Sequence, residues 1–330
     1  MTTGSTVLTV PEVAAHRGAP LYLFVGVSTG GSAVHQAFPT WAALFAPDAV
    51  LRGVDLPETD DPAPFRALVE AMRDNPDVHG AVVTSHKLRL YRACSDLFDR
   101  TDPLVGLTHE VNSLDTRSGV AAFARDAQSL AVLDAPLGGA AGPAAPALCL
   151  GSGGSAIALL LRSRLDIEAT LTAGHAVPMP ADRTGALTVV GRREAALAEI
   201  GEVAERCGIA ADSFATALAR DPTQYAALTS AAAPGTVIIN ATGLGKTAPG
   251  SPLPDAATFP TGGLAWDFNY RGPLTFLAQA REAGVPTEDG WLYFLAGWSC
   301  ALAAITGRDA ADLLAAVSRV SDPFRPAPTG

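Results

Sequence analysis

The feature that most narrows the possible folds is a short run in the middle of the chain, Gly151-Ser152-Gly153-Gly154-Ser155-Ala156. It lies between the apolar stretch Ala147–Leu150 and a helical pattern over residues 157–164. A buried-strand run, a glycine turn and a helix in that order open a strand–turn–helix unit. Each small residue then has a reason. Gly151 permits the tight turn, Gly153 leaves room for a pyrophosphate to approach the backbone, and Ala156 lets helix and strand pack closely. Gly154 and Ser155 place oriented N–H donors at the helix N-terminus, where anionic oxygens are favoured. The run predicts the first turn of a dinucleotide-binding domain.

The end of the next strand, residues 186–190, bears on which dinucleotide is taken. A carboxylate there accepts hydrogen bonds from ribose hydroxyls and repels a 2′-phosphate. This strand instead runs into Gly191-Arg192-Arg193. Two guanidiniums can hold a phosphate through charge-assisted hydrogen bonds, so NADP is expected over NAD. A solvated basic helix start, partly compensated by Glu194, has the same appearance.

At 330 residues the chain is long enough for two domains, each with its own core. Strands are expected over residues 21–27, 49–54, 80–83, 105–114 and 119–124, with helices through His35, Phe38, Trp41 and Leu44 and over Ala63–Arg73. After the glycine unit come strands at 186–190, 236–240 and 263–268, and helices at 195–207, 274–284 and 291–305. Alternating strands and helices imply parallel pairing. Residues 137–146, rich in Gly, Ala and Pro and without periodicity, read as the hinge between the domains, and 323–330 as a frayed tail.

The composition, 48% hydrophobic and 17% charged, is that of a globular protein. A formal net charge of −10 works against nucleic acid and anionic membranes, whose first contact is electrostatic. Nothing approaches the ~20 apolar residues of a membrane span, and residues 1–13 lack the marks of a signal peptide. Cys94, Cys149, Cys207 and Cys300 are scattered without a C-x-x-C pair and read as buried thiols, and the histidines fall at no metal-ligand spacing. A cytoplasmic monomer or homodimer is expected, with a small-molecule substrate and no metal, membrane or nucleic-acid partner.

Lys87, just beyond the strand at 80–83, and Asp126, just beyond the strand at 119–124, are candidates that parallel strands would bring together. A lysine can give a proton to a developing alkoxide, and a carboxylate can orient it. A surface lysine and a capping aspartate would look the same in sequence.

Several segments, in one order over most of the chain, resemble the shikimate dehydrogenase family. Residues 80–87, Gly-Ala-Val-Val-Thr84-Ser85-His86-Lys87, are similar to its G-A-N-V-T-x-P-x-K. Glu110-Val111-Asn112-Ser113 is similar to A-V-N-T, and Ala124-Arg125-Asp126 to N-T-D. The glycine turn resembles G-A-G-G-A-A, and Gly191-Arg192-Arg193 stands where N-R-T would. Asn240-Ala241-Thr242 through Gly245 resembles N-A-T-x-x-G, and Asp267 through Tyr270 resembles D-x-x-Y.

The resemblance implies an α/β fold: an N-terminal α/β substrate domain over residues 1–138, a Rossmann-type doubly wound NADP domain over 139–273, and C-terminal helices over 274–330 returning to the first domain, with the active site in the cleft between. It implies an NADP(H)-dependent alcohol–ketone oxidoreductase acting on shikimate or a relative, in aromatic amino acid biosynthesis or secondary metabolism. Lys87 would be the acid/base and Asp126 its partner on the substrate hydroxyl. Asn112 would hold a ring hydroxyl, with Thr84, Ser28, Thr29 and Ser32 in the substrate site. Tyr270, placed with the substrate groups, and Gly245 would lie near the cofactor or the closed cleft, with Asn240 and Thr242 on the cofactor side.

Three departures bear on the substrate. The family's S-x-S-P loop is here Ser28-Thr29-Gly30-Gly31-Ser32, the lysine motif is one residue short and lacks its Asn and Pro, and Gly297 stands where the family offers a glutamine. Trp291, Tyr293 and Trp298 either shape a different pocket or belong to the core, His86 either assists Lys87 or is an exposed histidine, and His35 reads as a helix-packing residue. A dehydrogenase of quinate or another polyol using NAD, and a non-catalytic dinucleotide or metabolite sensor, are the competing readings.

Overall fold

A computed structural model describes residues 6–137, 141–245 and 248–327. The chain divides into two units, residues 1–125 with 297–325 and residues 126–296 with 326–330.

In the first unit, apolar runs alternate with amphipathic helices: α1 (Val10–Ala15), β1 (Leu21–Gly26), α2 (Val34–Ala42), β2 (Val50–Asp55), α3 (Ala63–Arg73), β3 (Val78–Val83), α4 (Lys87–Cys94), β4 (Arg100–Thr101), α5 (Pro103–Thr108), β5 (Ser113–Asp115) and β6 (Ala121–Phe123). They form a six-stranded sheet in the order β2-β1-β3-β5-β6-β4. Strands β2, β1 and β3 are parallel, β5 is antiparallel to both β3 and β6, and β4 is parallel to β6. The C-terminal ends of β1, β2, β3 and β6 and the N-terminal end of β5 therefore share one edge. β1 is buried nearly throughout, as expected of a central parallel strand covered on both faces. Phe38 and Trp41 of α2 and Phe65 and Met72 of α3 are fully buried in the core around it.

The second unit carries α6 (Asp126–Ala131), β7 (Ala147–Leu150), α7 (Gly154–Arg164), α8 (Ile167–Ala173), β8 (Leu187–Gly191), α9 (Glu194–Arg206), β9 (Ala215–Leu218), α10 (Pro222–Ser230), β10 (Val237–Asn240), β11 (Leu264–Asp267), α11 (Thr275–Glu282) and β12 (Thr287–Glu288). All pairings in its sheet are parallel, in the order β12-β11-β10-β7-β8-β9. Counted from β7, this is the doubly wound order 3-2-1-4-5-6, whose switch point lies between β7 and β10. Leu150, Ile238, Phe276 and Leu277 are among its buried core.

Helix α12 (Trp291–Thr306) begins in the second unit and ends in the first, and α13 (Ala310–Ser321) docks on α2, where Trp41 Nε1 donates to Ser321 Oγ at 2.8 Å. No helix among the described residues is long and apolar enough to cross a membrane.

The divisions fall at 125/126 and 296/297, not at the expected 138/139 and 273/274. The reason is packing. Gln128 of α6 bonds Glu168 of α8 at 2.9 Å, Asp134 pairs with the buried Arg162 of α7, and α11 packs on β11, so these pieces belong to the second core. Of the expected hinge, residues 138–140 lie outside the described set, as do 328–330 of the expected tail. Residues 141–146 form turns bound into the second unit, with Gly185 N donating to Pro143 O at 2.7 Å.

One element differs in kind. The strand expected over 105–114 is the helix α5 followed by the short strand β5. Asp102 caps α5 by accepting from Val105 N, Pro103 starts it, and His109 ends it in the left-handed region at φ 57°. An Asp-Pro pair is a helix start, and here it overrides the apolar run.

Candidate functional site

The shared edge of the first unit carries most of the residues singled out in its sequence. Thr84 leaves β3 with its N–H on Val25 O at 2.9 Å, and Lys87 opens α4, half-buried, after His86 at the cap position. A cation in the first turn stands at the unfavourable end of the helix dipole, a placement that costs about 0.3–1 kcal/mol and that helix stability does not explain.

His86 is not exposed. It is fully buried, packed edge-on against Phe65 at 5.3 Å, with Nε2 at 3.0 Å from Leu56 O. A carbonyl only accepts, so Nε2 carries the proton. Nδ1 is buried with no hydrogen-bond partner among the described residues.

Asn112, buried at the start of β5, accepts through Oδ1 from Arg125 N at 3.0 Å and from Ser113 Oγ at 3.2 Å. Asp102, which sequence reasoning missed, holds the same loop from the other side. Its carboxylate accepts from Val105 N at 2.9 Å and Ala124 N at 3.1 Å and pairs with Arg125 Nε at 3.2 Å. Burial raises its pKa, against the pull of Arg125 and the backbone N–H groups. Arg125, standing where the family motif has threonine, also lies over the Phe123 ring at 5.5 Å. Asp126 is the next residue, the first of α6 and of the second unit.

The loop after β1 is less open than its hydroxyls suggest. Thr29 is 1% exposed, and both its N–H and its Oγ1 donate to Asp55 Oδ1, at 2.8 and 2.7 Å. His35 closes it from above, with Nε2 at 3.1 Å from Thr29 O, while burial lowers the pKa of its ring. The hydroxyl proton of Thr29, a residue expected in the substrate site, is given to Asp55. Ser28 is exposed and Ser32 half-buried on the same loop.

In the second unit the glycine turn sits at the switch point. Gly151 has φ +125°, and a Cβ on it would lie 2.5 Å from Ala241 O and 2.9 Å from Thr242 N, so only glycine brings the turn this close to the end of β10. Gly153 caps α7 in an extended conformation with nothing within 4 Å of where a Cβ would be. That open cradle above Gly154 and Ser155 fits the pyrophosphate of a dinucleotide. Ala156 is buried beneath it. Gly191 abuts the turn, its notional Cβ 2.6 Å from Ser152 Oγ, and leads to Arg192 and Arg193, both exposed. Glu194 pairs not with them but with Arg220, at 3.0 Å.

Asn240 and Thr242 organise the loop after β10. Asn240 Nδ2 donates to Asp267 at 3.1 Å, and its Oδ1 takes Thr242 N at 3.2 Å and Thr242 Oγ1 at 2.7 Å. Gly245, at φ +84°, bonds Ala248 O at 2.6 Å. Asp267 is buried, which pushes its pKa up to about 7 against its hydrogen bonds from Asn269 N and Asn240. Tyr270 packs on Phe294 at 4.7 Å and Trp291 at 5.3 Å, and burial pushes its hydroxyl up to about 12.

Trp291 and Trp298 of α12 are buried, whereas Tyr293 and Phe294 are half-buried. Trp298 packs on Phe24 at 5.0 Å in the first unit, and Tyr293 on Phe268 at 4.6 Å in the second. At Gly297 a Cβ would meet nothing within 4 Å. Burial pushes the thiols of Cys94 and Cys149 up to about 12 and that of Cys207 to about 11. Among the described residues no group of three His, Cys, Asp or Glu side chains is placed to hold a metal.

These features define a two-unit α/β protein with a doubly wound dinucleotide-type sheet. No family model matches the chain, and no curated protein matches it by sequence. Solved structures do match, and they carry the fold of the shikimate dehydrogenases. Shikimate dehydrogenase 1 from Peptoclostridium difficile is 17% identical at TM-score 0.65, over 92% of this chain and 98% of that one. Shikimate 5-dehydrogenase from Thermus thermophilus, in complex with NADP(H) and shikimate, is 21% identical at TM-score 0.60, over 91% and 99%. Quinate dehydrogenase from Corynebacterium glutamicum, in complex with NAD, is 16% identical at TM-score 0.65, over 91% and 99%.

Proposed function

We propose that this chain is an NADP(H)-dependent oxidoreductase that interconverts an alcohol and a ketone on shikimate, 3-dehydroshikimate or a related polar cyclic hydroxy acid. The observation that supports this most directly is the placement of Lys87. It is a half-buried cation at the wrong end of a helix dipole, at the strand edge that also carries Asn112 and the loop running into Asp126.

A bound nicotinamide would supply or accept the hydride, held by the turn Gly151–Ala156 with Arg192 and Arg193 toward the 2′-phosphate. Lys87 Nζ gives a proton to the carbonyl oxygen as charge develops on it and takes it back in the reverse direction. Asp126 orients the ammonium and the substrate hydroxyl. Asn112, whose Oδ1 is fixed by Arg125 N and Ser113 Oγ, serves a ring hydroxyl. With Thr29 committed to Asp55, the substrate loop works through Ser28 and Ser32.

A second substrate reading is favoured by that last observation. Asp55 puts a negative charge directly beneath the loop, which suits a polyol without a carboxylate better than an anionic ring. Assaying shikimate, quinate and aminoshikimate beside a carboxylate-free cyclic polyol such as myo-inositol, with NADP and NAD, by absorbance of the reduced cofactor, separates the two. Lys87→Ala is expected to abolish turnover while leaving NADPH binding intact. Unchanged turnover removes Lys87 from the chemistry, and NADPH binding without turnover on the whole panel turns the reading toward a sensor.

A further inference from the structure

Adjacent strands bring together residues that lie far apart in sequence. β8 and β9 pair in register, Gly191 opposite Leu218, and the ladder continues with Ala219 N donating to Gly191 O at 2.9 Å. Arg220 therefore emerges beside Arg192 and Arg193. Its backbone is fixed, N–H to Gln224 Oε1 at 2.6 Å, while Asp221 caps α10 by accepting from Thr223 N and Gln224 N.

Arg220 Nη2 reaches back to Glu194 Oε1 at 3.0 Å, with the two side chains 65% and 77% exposed. An exposed pair like this contributes little to stability. Its effect on local charge is larger. Glu194 is the first residue of α9, directly after the two arginines, and unpaired it would place a carboxylate beside the guanidiniums proposed to hold the 2′-phosphate. Arg192 is near enough to the buried Tyr225 of α10 to oppose the rise that burial imposes on its hydroxyl, so the β8 end, the β9 end and α10 form one electrostatic neighbourhood.

We propose that Arg220 is a specificity-determining residue for the phosphorylated dinucleotide, acting by neutralising Glu194 so that the edge beside Arg192 and Arg193 stays net positive. This rests on the dinucleotide reading given above and adds to it a residue outside the sequence motif. Arg220 acts through Glu194 and is not required to touch the phosphate itself, which separates it from the two arginines after β8.

The test is fluorescence titration of the purified chain with NADPH and with NADH, for wild type, Arg220→Ala, Glu194→Ala and the double variant, with thermal unfolding run alongside. Arg220→Ala is expected to weaken NADPH binding at least tenfold and to change NADH binding less than twofold. The double variant is expected to recover most of the NADPH affinity, because the carboxylate that Arg220 masked is gone. NADPH affinity within twofold of wild type in Arg220→Ala overturns the proposal. So does an equal loss for NADPH and NADH, which would mark a structural role, and so does a double variant as weak as Arg220→Ala, which would mark direct phosphate contact. A wild type that binds the two dinucleotides equally, or neither, overturns the NADP reading together with the proposal. An ineffective Arg220→Ala in a wild type that prefers NADPH overturns the proposal alone.

Discussion

Two loops in this molecule have the same local form and are held by opposite means. Residues 28–32 leave β1 and enter α2, and residues 151–156 leave β7 and enter α7. The first is held by a side chain, Thr29 on Asp55, two residues that lie 26 apart in the chain. The second is held by backbone against backbone, with Gly151 in the left-handed region pressed to the carbonyl of Ala241. Even the supporting aspartates differ. Asp55 at the end of β2 is exposed, whereas Asp267 at the end of β11, which holds Asn240 and through it Thr242, is buried. A loop clamped by backbone contact tolerates almost no substitution at its tight point, and a loop clamped by one carboxylate can be retuned by one change.

The largest expected effect follows from the backbone clamp. In Gly151→Ala the new Cβ meets Ala241 O at 2.5 Å from a φ of +125°. Strain and overpacking together are expected to cost about 3–5 kcal/mol, read as a lower urea midpoint. Gly153→Ala is the control, because nothing lies near its Cβ and its φ of −94° suits any residue. Its stability should stay within about 0.5 kcal/mol of wild type while NADPH binding weakens, because the methyl occupies the cradle. Equal stability of the two alanine variants would break the comparison.

A smaller effect, visible only against pH, sharpens the contrast between the aspartates. Burial raises the Asp267 carboxyl to about 7, above its value in the unfolded chain. The folded state therefore holds a proton that the unfolded state has lost over pH 4–7. The stability this contributes is fully present below the unfolded pKa and disappears as pH rises through the folded one. Asp267→Asn, which cannot ionise, should gain on wild type by about 1 kcal/mol per pH unit between pH 5 and pH 7. A pH-independent difference in unfolding free energy would show that Asp267 is ionised in the fold throughout.

How much of this could be read in the sequence follows from the same contrast. The glycine turn was legible because positive φ and close approach leave a mark at the residue concerned, and β1, β7 and β10 because strands buried on both faces are continuous apolar runs. The exposed strand β9 (Ala215–Leu218) has no such run, so the neighbour that brings Arg220 beside Glu194 was invisible. The helices α5 and α10 carry local start signals, Asp102-Pro103 and Asp221-Pro222, and at α5 that signal is masked by the apolar run over 105–114. The strand edge carrying Lys87 and Asn112 follows from strand order. The inward turn of Thr29, the burial of His86 and the Asp102–Arg125 clamp depend on partners distant in sequence, and no local pattern specifies them.

The smallest effects fall on the side-chain clamp, where the two hydroxyls of the first loop should part company. Thr29→Val keeps the shape and the N–H bond but removes the Oγ1 donor to Asp55. A hydrogen bond to a charged acceptor contributes about 1.5–3 kcal/mol, and the lower end applies because Asp55 is exposed to water. The loss should appear in the unfolding free energy, with KM for the panel's best substrate altered only through loop position. Ser28 is exposed, with no bond to any strand end among the described residues. Ser28→Ala should therefore leave stability within about 0.5 kcal/mol and raise KM with kcat little changed, as expected when a uniform binding contact is removed. The opposite pattern, Thr29→Val stable with a raised KM, would mean that the threonine turns to the substrate in the working enzyme. Asp55 would then be a substrate ligand and not a clamp.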